Sequence, residues 1–154
     1  MSEPRKSYEL ADRNSSSDSD EAYGYVSEVI ATHKSDLTHA RIGIAWMVNR
    51  TEDIDGRRKL GKMRLLNELD RLMLNLDAII LLDRGAWAVM KPPQRLALVH
   101  HELCHLAPVE DEDGSQKADG HGERKWRTVK HDIEEFREVV AAHGCYKERS
   151  SRVR

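Results

Sequence analysis

Prolines at 92 and 93 and a third at 108 constrain the chain more than any other feature, because they bracket one continuous segment of its middle third. Proline is tolerated in the first turn of a helix and excluded from its interior, so a helix beginning at Pro92 and running from Gln94 to Leu106 is well signalled, with Pro108 beyond its far end. Leu96, Val99, Leu103 and Leu106 recur at three, four and three residues and give that helix an apolar side. Within it stands His101-Glu102-Leu103-Cys104-His105. Side chains four apart on a helix lie one above the other, so both imidazoles can reach one metal ion, with Glu102 turned toward water held by that ion. This is the arrangement of zinc hydrolases: the metal acidifies a water and the carboxylate accepts its proton as general base.

Two imidazoles leave a metal site incomplete, and the sequence offers three candidates for a third ligand. His131 opens the last predicted helix, Glu135 lies one turn inside it, and His121 sits between Gly120 and Gly122 in a polar stretch. A ligand on a rigid element holds its geometry better than one between glycines, which ranks His131 first and leaves His121 and Glu135 as alternatives. Asp132 and Glu135 are candidates to orient a ligating histidine by accepting the proton of its far nitrogen, and Asp132 equally suits a helix cap. His100 points about 100° away from His101 around the helix and reads as a structural or solvent-facing neighbour. Cys104 reads as a small buried residue beside the site. His143, Tyr146 and Arg137 are weak candidates for stabilising an oxyanion.

Composition narrows the options. There are eight histidines but only two cysteines, Cys104 and Cys145, so neither a four-cysteine zinc knot nor a disulfide framework can form, and oxygen and imidazole must carry any metal. The 154 residues, 39% hydrophobic and 34% charged, suit one domain. A net charge of −2 gives no overall electropositive field and makes a nucleic-acid partner unexpected. Arg57, Arg58, Lys59, Lys62 and Arg64 form the best local basic patch. No segment has the length or apolarity of a signal peptide or membrane span, so the cytoplasm is the expected compartment.

Residues 1–20, above all Asn14 to Asp20, have little to bury and read as a disordered tail, with a domain over 21–146 and a frayed end over 147–154. Ala22, Val26, Val29 and Ile30 predict a first amphipathic helix. Ile42, Ile44 and Trp46 alternate as a strand, closed by a charged loop. A short strand handing over to a helix is predicted between Leu60 and Leu76, then a strand over Ala78–Leu82 and a further extended piece over Trp87–Met90. Glu110 to Lys125 reads as an exposed loop. A final helix from Asp132 to His143 places Ile133, Phe136, Val139 and Val140 on one side and ends at Gly144. The expected class is α+β, a small zincin-like domain with a mixed or antiparallel sheet packed on the active-site helix. Trp46 and Trp87 are expected in the core, with lining of the cleft as the alternative.

The segments PPQRLALVHHELCHL, DEDG and KHDIEEFREVVAAHG together resemble the phage metallopeptidase family, small phage and prophage proteins distantly similar to SprT-like zinc peptidases. The resemblance extends more weakly to KLGKMRLLNEL and AIILLDRGAW and covers roughly residues 22–146. It implies zinc on His101 and His105, Glu102 as catalytic base and His131 as third ligand, with Asp132, Glu135 and Phe136 completing an HDxxEF box. The His121-Gly122 pair resembles the His-Gly that supplies the third ligand in SprT-like proteins, which keeps His121 in contention. A peptide would lie along an edge strand near the helix, and a phage-encoded protein would work in the host cytoplasm. The competing reading is a zinc-binding accessory protein that contacts a host component with little or no hydrolysis.

Overall fold

A computed structural model describes residues 7–11, 16–49, 59–130 and 143. Six strands and four α-helices are described: β1 (Ser7–Leu10), α1 (Ser17–Thr32), β2 (Ile42–Val48), β3 (Gly61–Leu65), α2 (Glu68–Leu74), β4 (Ala78–Asp83), α3 (Arg84–Val89), α4 (Pro92–Leu103), β5 (Leu106–Pro108) and β6 (Trp126–Thr128). Four strands form a mixed sheet in the order β1-β2-β4-β3, in which β2 and β4 run parallel and β1 and β3 are antiparallel to their neighbours. β5 and β6 pair separately as an antiparallel ladder. The fold is α+β, compatible with a small zincin-like domain.

The two central strands are the most apolar, as burial on both faces requires. Ile44, Trp46, Ile80 and Leu82 are all buried in them. Trp46 and Trp87 are core residues, 0% and 1% exposed, with ring centroids 5.5 Å apart and edges crossing at 69°. The Trp46 indole N–H donates to Ser19 Oγ at 3.3 Å, which satisfies a polar atom that burial would otherwise strand.

Three predictions are corrected here. The described residues of the stretch expected to be a disordered tail, 7–11 and 16–20, belong to a strand and to the start of a helix or lie beside them. β1 pairs with β2 from Ser7↔Val48 to Leu10↔Ala45, Ala11 is buried, and Ser16 caps α1 by accepting the Ser19 N–H at 3.2 Å. Serine and aspartate look like linker residues by composition, but here they supply a helix cap and first-turn acids suited to the helix dipole. The piece expected to be extended at Trp87–Met90 is mostly helix, because Asp83 at the end of β4 accepts the Ala86 N–H at 3.0 Å and starts α3. The helix predicted to reach Leu106 stops at Leu103. Leu106 keeps the three-four spacing by coincidence and instead begins β5.

The expected exposed loop is largely exposed but folded as two successive tight turns. Asp111 exchanges backbone hydrogen bonds with Ser115 and Gly114, and eight residues later Asp119 does the same with Glu123 and Gly122. Gly114 and Gly122 take the left-handed conformation at equivalent places, φ +88° and +80°. Arg41 ties this double turn to the sheet end. Its guanidinium meets Glu123 at 3.0 Å and the buried Asp77 at 3.0 Å, and Asp77 also accepts the Arg41 backbone N–H at 2.8 Å. Hydrogen bonding to Asp77 raises the Arg41 pKa further above its already high value.

α4 is the pivot of the molecule. Lys91 N–H donates to Gln94 Oε1 at 2.8 Å beside the two prolines of its first turn, and every residue from Ala97 to Leu103 is buried. It packs against α1 and against β3. On the α1 side Arg95 meets Glu21 at 2.8 Å and lies over the Trp87 ring at 5.2 Å. No helix among the described residues is long and apolar enough to cross a membrane.

Candidate metal centre

The end of α4 carries the motif. His101 and Glu102 are 5% and 3% exposed, and they stay buried because α4 is covered on all sides over its last two turns. His105 lies just past the helix, in a turn closed by its own N–H donating to Glu102 O at 3.1 Å. The His101 and His105 rings nonetheless meet, 5.1 Å between centroids and 71° between planes, and Glu102 Oε2 lies 3.9 Å from His101 Nε2. One ligand atom from each of His101, Glu102 and His105 falls within 4.8 Å of the others.

The orientation of His105 decides its chemistry. Its Nδ1 lies 2.7 Å from the carbonyl oxygen of Val129, and the Val129 N–H donates to His105 O at 2.8 Å. A carbonyl can only accept, so Nδ1 must carry the proton and the lone pair is on Nε2, which is how a metal-binding histidine is prepared. Val129 follows β6 directly, so the small β5–β6 ladder serves to aim this imidazole.

Glu102 is placed by a residue that the sequence reading passed over. A Cβ at Gly61 would stand 3.0 Å from Glu102 Oε2, 3.3 Å from its Cγ and 3.2 Å from Leu81 O. The carboxylate is therefore seated against bare backbone at the start of β3. A glycine inside a strand is a known signal of such close approach, but the strand expected from the sequence begins at Lys62, one residue too late to include Gly61.

His121 is exposed on the double turn with Nε2 3.4 Å from Glu68, and it does not join the His101–Glu102–His105 group. Two backbone N–H groups, of His121 and Glu123, hold the neighbouring Asp119 carboxyl below its usual range. Cys104 is buried and belongs to neither group of imidazoles. His100 is fully buried and faces His33 and His143. His143 joins that second group, and its pKa is pushed below the ordinary imidazole value by burial and by His33. His131, Asp132, Glu135, Phe136, Arg137, Gly144, Cys145, Tyr146, Arg57 and Arg58 lie outside the described residues. Of the basic patch, Lys59, Lys62 and Arg64 run into and along β3, with Lys62 and Arg64 exposed.

A family model described as "Putative phage metallopeptidase" matches residues 15–153. The chain belongs to that family. The match extends past the 22–146 span on which the motifs first suggested it and takes in the Ser16 cap of α1. No curated protein and no solved structure matches the chain. A metallopeptidase family implies a metal, and the donor set fits one: two buried or half-buried imidazoles, one with its tautomer fixed, and a buried carboxylate at their side.

Proposed function

We propose that the protein is a zinc-dependent peptidase in which His101 and His105 hold the metal and Glu102 is the general base. The observation that carries this is the convergence of His101, Glu102 and His105 within 4.8 Å, with the His105 Nδ1 proton committed to Val129 O. Zinc at this position supplies Lewis acidity, which lowers the pKa of a water and polarises a peptide carbonyl. Glu102 accepts the water's proton and returns it to the departing amine. Its burial at 3% excludes bulk water from that transfer, and Gly61 on one side and His101 on the other keep the carboxylate from swinging away.

His131 completes the ligand set in this reading. The chain leaves β6 with Val129 in contact with His105, and His131 follows two residues later, a length of chain that spans at most about 7 Å. Glu135 and His121 are the alternatives, and His121 carries the handicap of its place beside Glu68. Asp132 and Glu135 are assigned to orienting the third ligand. The substrate is a peptide laid along β3, an edge of the sheet among the described residues, whose first residue touches the catalytic carboxylate.

Zinc stoichiometry and cleavage of a proteome-derived peptide library, compared between wild type and Glu102→Gln, test this. Equal zinc with cleavage only by the wild type is expected. Zinc in both with cleavage by neither would replace the peptidase with a zinc-binding accessory protein, and no zinc after reconstitution would overturn both. Alanine at His131, His121 and Glu135 singly identifies the third ligand by the largest loss of zinc affinity.

A further inference from the structure

The second imidazole group has no part in this mechanism. His33 caps the C-terminus of α1, His100 lies in the buried stretch of α4, and His143 belongs to the C-terminal part of the chain. His100 Nδ1 and His143 Nε2 share a hydrogen bond of 2.9 Å, the His33 ring stacks on His100 at 4.7 Å and 18°, and the His143 ring stands edge-on to both. One nitrogen from each lies within 4.8 Å of the other two.

We propose that His33, His100 and His143 form a second divalent-metal site that clamps residue 143 to α1 and α4. A tetrahedral zinc ion with bonds of about 2.0–2.1 Å places its nitrogens about 3.4 Å apart, so small ring rotations bring the group into register. The ion takes the place of the proton shared by His100 and His143, and the stacked His33 turns its lone pair to it. Imidazole is the ligand that suits zinc and its neighbours in the first transition row. His100 is fully buried while His33 is exposed, so the site has a rigid floor, an entry path and a solvent-side position for water. Glu28 on α1, five residues before the capping His33, acts electrostatically on His143 and places negative charge near the ion. The two groups share no residue, because His100 and His101 are consecutive and so point about 100° apart around α4.

The consequence is mechanical. The ion would hold His143 against the C-terminal end of α1 and the buried stretch of α4.

Full-length protein stripped with a chelator and then titrated with Zn²⁺ or Co²⁺, with bound metal counted by mass spectrometry and by Co²⁺ absorption, provides the test. Wild type is expected to take up two equivalents, and His33→Gln combined with His143→Gln one. His101→Gln with His105→Gln should also take one, which further loses its metal when His33→Gln is added. His33→Gln alone, at an exposed position, serves where the double variant does not fold, and should lower affinity at one site at least tenfold. Uptake that is unchanged by the substitutions at His33 and His143, or no uptake at all, overturns the proposal. A single equivalent that disappears with His33→Gln but survives loss of His101 and His105 upholds it while removing the peptidase reading.

Discussion

Alanine in place of Gly61 adds one methyl group where the structure has room for none. The new Cβ would stand 3.0 Å from Glu102 Oε2 and 3.2 Å from Leu81 O, against an ordinary contact of 3.4 Å or more. The Leu81 oxygen is backbone in the middle of a sheet and cannot yield, so the carboxylate must retreat by about 0.4 Å or rotate, taking its base oxygen off line. Misplacement of a catalytic group by about 1 Å costs up to ~100-fold in rate, so a shift of this size should lower kcat about tenfold. Overpacking of one methyl costs about 1–3 kcal/mol, partly offset by about 0.4–1 kcal/mol from the entropy of the unfolded chain, so Gly61→Ala should fold with a Tm only a few degrees lower. Zinc content should not change, because the atoms nearest the new Cβ belong to Glu102 and Leu81 and not to His101 or His105. Valine at the same position should cost about another tenfold. The measurements are peptide cleavage, zinc stoichiometry and a thermal melt on the same preparation. Full cleavage activity in Gly61→Ala refutes the argument that bare backbone seats Glu102, and loss of zinc together with activity refutes the argument that Glu102 alone is displaced.

Arg41→Ala should destabilise the protein by about 3 kcal/mol in urea titration, since it leaves the buried Asp77 without its charge partner and frees the double turn from the sheet; a loss under 1 kcal/mol would contradict this. Arg41→Lys should recover only part of that, because an ammonium cannot bond both carboxylate oxygens in the fork that Arg41 makes. The depressed pKa of Asp119 gives a contribution to stability that is present above the ordinary carboxylate value of 3.8 and is lost as pH falls through the lower folded value. The amide resonances of His121 and Glu123 should therefore titrate with a midpoint below 3.8; a midpoint at or above 3.8 would show that their N–H groups do not hold this carboxylate.

What the sequence disclosed was mostly local and periodic. The prolines at 92 and 93 marked the start of α4 within the first turn, and the spacing of Ala22, Val26 and Val29 found α1, because these signals act over a few residues. The errors arose where a local signal had two meanings. Trp87 and its neighbours form an apolar run after a strand, and only the Asp83 side chain distinguishes a new helix from a continued strand. Leu69, Leu72 and Met73 have helical spacing and stand on α2, yet they are exposed there, so periodicity located the helix without saying which face it buries. The partners of the site were hidden for a different reason. Gly61 is forty-one residues before Glu102, Val129 twenty-four after His105, and His33 sixty-seven before His100, and no rule of spacing joins such pairs.

The early end of α4 bears most directly on the chemistry. A motif read as one helical turn from His101 to His105 would owe its geometry to that turn, but the helix has finished at Leu103. The last carbonyls of a helix need partners, and here Cys104 N–H closes on His100 and His101 while His105 N–H closes on Glu102. The chain then enters the β5–β6 ladder with no intervening loop, and His105 is its first rung in effect: its carbonyl accepts from Val129 N–H and its ring donates to Val129 O. His105 is thus held by backbone on both sides and by its own side chain, more tightly than an exposed last turn would hold it. A helix that continued to Leu106 would turn the His105 carbonyl along the helix axis among its unpaired last carbonyls and leave the Val129 N–H without that partner, and the imidazole would lose the acceptor that fixes its tautomer. The strand that interrupts the predicted helix is therefore what fixes the tautomer and the aim of the second histidine of the motif.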